Sequence, residues 1–289
     1  RLCCRLARMA PGDRNVYYLA DDRSMYRSDD GDHPTPTALF KALRDNNEKA
    51  IVIPHHTGHG GNPCDWKEHD PERERLVEIY QVRGSYECSP ADGNTVPEKP
   101  GPTTPFEKGY VRDALALGWR VGFTAGGDDH EGHWGTESQF GGFYKQGLMS
   151  VGVAEKTRPA IFAALHARRV TATTGARIIL SYTLDGHPMG SELSVKQQPG
   201  LASSRRLRIG FHGTAPAARI EVIRNNKVVQ SWTDCAALDL DLEWTDTEGS
   251  AAIWMPPAKF CDHPFMFYYV RAIQADGEVA WASPIWIDP

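Results

Sequence analysis

The hydrophobic pattern of this chain changes period near residue 180, and that change limits the folds open to it. Before it, apolar runs of strand length at 51–53, 76–80, 121–124 and 148–154 alternate with segments of helical period. A helix is predicted from Pro36, with Thr35 as its cap and proline at the first helical position. A second covers 106–117 and ends at Gly118, and a third runs from Arg158 to about Ala167. This β-α-β-α order predicts an α/β architecture over residues 1–180, with a parallel sheet or barrel and connecting helices. After it, short alternating runs recur at 207–211, 219–224, 228–232, 238–244, 265–272 and 279–287. Turn residues such as Asn225-Asn226 and Asp276-Gly277 separate them. That pattern predicts an antiparallel β-sandwich over residues 181–289.

Charge and composition exclude several classes. The 289 residues carry 32 Lys and Arg against 37 Asp and Glu, a formal charge of −5. No basic surface is left over for nucleic acid. No run approaches the roughly 20 apolar residues of a membrane span. The six cysteines contain no Cys-x-x-Cys, against a zinc ribbon or a thioredoxin site. Cys64 and Cys88, and Cys235 and Cys261, lie in loops that permit disulfides of a periplasmic or secreted protein, and equally free thiols. The first residues, Arg1-Leu2-Cys3-Cys4-Arg5, are neither a start methionine nor a signal peptide, so a processed product or a piece of a longer chain is expected.

Two strand-like runs break into metal-binding residue types. The run at 51–54 is followed by His55-His56-Thr57-Gly58-His59, and that at 120–124 by Gly126-Gly127-Asp128-Asp129-His130-Glu131-Gly132-His133. A strand fixes where its last side chain points, and glycine lets backbone and metal approach closely. In an extended Asp128-x-His130 both side chains share one face. Six of the eleven histidines fall between 55 and 133. Glu78 sits inside Leu76-Val77-Glu78-Ile79-Tyr80, where an ionised carboxylate is costly unless it is paired or metal-bound. The expected ligands are therefore His55, Glu78, Asp128 and His130. His56, His59 and His133 are candidates for proton transfer, and Arg83 and Glu87 for substrate binding. The loop residues Asp65, Glu68, His69 and Asp70 read as solvated. No nucleophile elbow, phosphate loop or dinucleotide fingerprint is present.

Several motifs, in order, resemble those of PHP-like (polymerase and histidinol phosphatase) metallohydrolases, and most closely a branch that includes carbamate-hydrolysing relatives. They are Ile-Pro-His-His at 53–56, Val-Glu-Ile-Tyr at 77–80, Gly-Ser-Tyr-Glu at 84–87 and Gly-Gly-Asp-Asp-His at 126–130, followed by Thr-Arg-Pro-Ala-Ile at 157–161. The resemblance implies a distorted (β/α)7 barrel with two or three divalent metal ions (zinc, manganese or iron) at its rim. It implies hydrolysis of a small phosphoester or a carboxylic or carbamic ester by metal-activated water. PHP barrels begin with a strand bearing His-x-His, and residues 1–30 hold no histidine. The chain is then expected to be the later part of such a barrel, completed by a preceding segment or a second polypeptide. The alternative is a degenerate site in a non-catalytic binding or structural module.

Overall fold

The computed structural model describes residues 2–4, 12–28, 31–99, 105–128 and 144–289. Among them 38% lie in strands and 14% in helices, arranged as four sheets. This overturns the expected α/β class and the partial (β/α)7 barrel: the protein is mostly β. The predicted strands form, but their directions differ from those of a barrel. Arg14–Tyr18 and Ala50–Pro54 flank the helix Pro36–Asp45, yet they pair antiparallel. Leu148–Val151 and Val170–Thr173 flank the helix Arg158–His166 and also pair antiparallel. Parallel ladders join Leu76–Gln81 to Gly122–Ala125 and Glu192–Ser194 to Val279–Asp288. Hydrophobic period reports that a strand exists; hydrogen bonding with a neighbour decides its direction, which a single sequence does not encode locally.

Two of the three predicted helices form, Pro36–Asp45 and Arg158–His166, and one is much shorter than the sequence suggests. Proline-initiated Pro36–Asp45 starts as expected, with Thr35 Oγ1 accepting from Ala38 N at 3.2 Å. The segment predicted helical over 106–117 yields only Val111–Ala116, six residues. A helix of that length cannot cover a sheet as barrel helices do.

A seven-stranded sheet crosses the position where the period changes. Its order is Lys227–Thr233, Ala217–Arg224, Met266–Gln274, Val279–Asp288, Val170–Thr173 and Leu148–Val151, with Glu192–Ser194 also on Val279–Asp288. A four-stranded sheet contains His187–Pro188, Ile179–Leu184, Arg205–His212 and Asp239–Asp246. These two sheets share one apolar cluster, with Leu207, Ile209 and Phe211 from one and Val222, Tyr268 and Val270 from the other. A second cluster mixes both halves of the chain: Val77, Ile79, Trp119 and Phe123 join Phe267, Tyr269, Trp281 and Trp286. Ser283 fastens that junction, its Oγ accepting from Phe123 N at 2.9 Å and donating to Val170 O at 2.6 Å. Asp70, expected in solvent, is buried and pairs with Arg44 and Arg73, while the side chain of half-buried His69 stacks on Trp119 at 3.9 Å.

Candidate metal centre

The strand Ala50–Pro54 is buried along its whole length and delivers His55 at its end. His55 N donates to Asp13 O at 3.0 Å, which fixes the backbone as it leaves the sheet. His56 then takes a left-handed backbone, φ 35°, and folds its ring against that of His55 with centroids 4.1 Å apart. Asp128 follows Gly122–Ala125 across two glycines and is itself left-handed, φ 59°. A Cβ at Gly126 would lie 2.8 Å from Glu78 Oε2, so a larger residue there would displace the carboxylate that backs His55.

Among the described residues, His55, His56 and Asp128 form a buried group whose ligand-capable atoms all lie within 4.8 Å of one another. His55 is held between two carboxylates. Its Nδ1 meets Glu78 Oε1 at 2.7 Å and its Nε2 lies 3.3 Å from Asp128 Oδ1. Burial alone would lower the His55 pKa, but Glu78 and Asp128 push it up to about 10. Burial would raise the Asp128 carboxyl; contact with His55 and with the Arg83 guanidinium instead holds it far below the usual carboxylate range. For His56 burial dominates and lowers the imidazole pKa. Its Nε2 lies 3.2 Å from Asp13 Oδ2, while its Nδ1 is buried without a hydrogen-bond partner. A buried imidazole nitrogen with no partner, beside a second imidazole and a carboxylate, is a donor set that suits a divalent cation.

The sequence-predicted residues are distributed around this group. Glu78 lies behind His55, accepting from its ring and, at 3.2 Å, from His56 N, as a carboxylate does when it orients a ligating histidine. His56, expected to transfer protons, sits inside the cluster. His59 is next to it, with rings 5.5 Å apart and its Nδ1 2.6 Å from Glu98 Oε1. Arg83 pairs with Asp128. Glu87 is placed differently: both its oxygens are engaged by Arg271, Arg112, Tyr269 and Trp281 in the interior. His130 and His133 lie outside the described residues.

The comparisons with known proteins add kinship without an activity. An uncharacterised protein of Chlamydia pneumoniae is 34% identical over 282 residues, which is 96% of this chain and 44% of that protein. Uncharacterised proteins of Chlamydia muridarum and Chlamydia trachomatis are each 35% identical over 86% of this chain and 40% of their own length. The chain thus spans less than half of the curated relatives it matches. No family model and no solved structure matches it.

Two residues of the site escaped the sequence reading. Asp13 comes from a stretch without histidine, and its Oδ1 accepts from Asn62 Nδ2 at 2.7 Å. Glu98 lies in a loop rich in proline and charge, and its Oε2 is buried without a partner. Neither position carries a local pattern; each is brought in by tertiary contact. The candidate disulfide positions Cys64, Cys88, Cys235 and Cys261 are free thiols. No helix among the described residues is long and apolar enough to cross a membrane.

Proposed function

We propose that this chain carries part of the site of a metal-dependent hydrolase acting on a small phosphoester or a carboxylic or carbamic ester. The observation that supports it most is the buried His55–His56–Asp128 group with the unpartnered His56 Nδ1. His55 through Nε2, His56 through Nδ1 and Asp128 through a carboxylate oxygen would hold a divalent ion such as zinc, manganese or iron. The ion would polarise a water and stabilise charge developing on the ester oxygen. With an ion bound, Glu78 would hold the remaining His55 proton on Nδ1 and leave Nε2 to ligate. His59, with Nδ1 tied to Glu98, presents its other ring nitrogen for proton delivery to a leaving group. Arg83, partly exposed, supplies a cation for an anionic substrate group.

The Arg83–Asp128 pair favours a second reading, a non-catalytic module in which guanidinium neutralises Asp128 where a metal would. Elemental analysis after exhaustive dialysis separates the two. The hydrolase reading expects about one ion per chain, lost in His55→Ala and Asp128→Asn. It also expects metal-dependent turnover of p-nitrophenyl phosphate or p-nitrophenyl acetate. Less than about 0.3 ion per chain at saturating zinc or manganese, in this chain and in a full-length relative, supports the module.

A further inference from the structure

Away from the His55 cluster, a cavity of about 510 Å³ lies between the 69–75 loop, the turn at Gly118 and the 258–263 segment. Its walls carry Arg75, Arg120, Lys259, Cys261, His263 and Asp288. Cys261 Sγ lies 3.6 Å from His263 Nε2 and 3.9 Å from Arg120 Nη2. On the other side of the ring, His263 Nδ1 meets Asp262 Oδ1 at 2.8 Å, while Nε2 also lies 3.2 Å from Asp288 Oδ1. Thiol, imidazole and carboxylate therefore stand in the order nucleophile, base and orienting acid. The bond to Asp262 raises the His263 pKa most and Asp288 adds to it, against burial and Arg120. The imidazole is thus prepared to hold a proton taken from sulfur.

Cys261 Sγ also meets the His263 carbonyl at 3.4 Å, a kind of contact that other cysteines share; what they lack is the imidazole. Cys64 meets Arg14, Cys88 the Asp92 carbonyl and Cys235 the Thr233 carbonyl. Burial pushes all three thiols up, Cys88 to about 12.

We propose that Cys261 is a nucleophilic thiol that reacts with small hydroperoxides entering this cavity. The size limit follows from burial: Cys261 is 6% exposed, so an electrophile must come through the cavity. The thiol proton moves to His263 Nε2, and the sulfur attacks the terminal peroxide oxygen. An S–O bond forms as the O–O bond breaks; sulfur is oxidised by two electrons and the peroxide is reduced. The departing oxygen takes the proton from His263, leaving Cys261 sulfenic acid and water or an alcohol. Arg120 stabilises the negative charge that develops as the O–O bond opens.

The test treats the whole chain with hydrogen peroxide, traps sulfenic acid with dimedone and reads each cysteine peptide by mass spectrometry. Cys261 is expected to be trapped at least about tenfold faster than Cys235, although Cys235 is the more exposed. His263→Ala, at a half-exposed position outside the core, should bring Cys261 to the Cys235 rate. His263→Gln, which keeps most of the side-chain volume, should do the same. Equal rates at Cys261 and Cys235 in the native chain overturn the proposal, as does native-like reactivity in either variant.

Discussion

Two glutamates on the same stretch of chain, Glu78 and Glu87, have opposite consequences. Glu78 places one oxygen on His55 Nδ1 and His56 N, and serves the candidate metal ligands. Glu78→Gln keeps the size but weakens the acceptor, so metal affinity should fall about 10–100-fold, read by competition with a chromogenic chelator. An unchanged affinity would remove Glu78 from any orienting role. Glu87 instead anchors the interior through Arg271 at 2.8 Å, Arg112 at 3.1 Å and Tyr269 at 2.6 Å. Removing its charge leaves two guanidiniums underpaired, and Glu87→Gln should cost about 3 kcal/mol in urea unfolding. Burial opposes ionisation of Glu87, but Arg271 and Arg112 outweigh it and lower its pKa. A lowered folded pKa stabilises above the unfolded value of about 4.3 and loses that contribution as pH falls through the folded value. The stability gap between native and Gln forms should therefore be full at pH 7 and shrink below about pH 4. A gap that widens on acidification would contradict this account. In the sequence Glu78 reads as a metal ligand and Glu87 as a substrate-binding residue; their partners, His55 for one and Arg271 for the other, separate them.

At the scale of elements, the strand Gly84–Ser85 holds the loop that carries Glu98. Gly84 has φ 140°, and a Cβ there would meet the Pro97 and Glu98 backbone at 2.6 Å. Gly84→Ala should therefore destabilise the fold by more than about 1 kcal/mol and displace the 97–99 segment. The measurement is a urea midpoint together with exchange protection of Lys99 N, which donates to Arg83 O at 3.0 Å. An Ala variant with native midpoint and protection would show that this contact is not tight. Several elements were legible in advance: Pro36–Asp45 from its Thr-Pro start, and Leu76–Gln81 and Gly122–Ala125 from their apolar runs. Their pairing was not. Leu76–Gln81 and Gly122–Ala125 do run parallel, whereas Arg14–Tyr18 and Ala50–Pro54 oppose each other, although each pair is separated by a helix.

In the whole molecule, the seven-stranded sheet ties residues 148–173 to the last strand. Val170–Thr173 pairs with Val279–Asp288, and Arg120 reaches Asp288 at 2.6 Å and Glu192 at 2.7 Å. The cluster around Trp119, Phe123, Trp281 and Trp286 draws on both sides of residue 180. A fragment 1–180 would leave this apolar surface and one edge of Val170–Thr173 open to water. It should lack the cooperative urea transition of the full chain, as followed by tryptophan fluorescence. A fragment that unfolds cooperatively and keeps dispersed amide resonances would show that the first 180 residues fold alone.

The sequence by itself determined that this chain is strand-rich after residue 180, which residues cap and stop its helices, and that His55 and Asp128 stand at strand ends. Those features follow from side-chain period, capping chemistry and glycine placement, all set within a few residues. Only the tertiary structure decided that neighbouring strands run antiparallel, that Glu78 backs His55 while Glu87 braces the core, and that Asp13 and Glu98 join the histidines. Strand direction and carboxylate partners depend on hydrogen bonds and charges between segments far apart in the chain, and no local pattern records which distant segment a strand or carboxylate will meet.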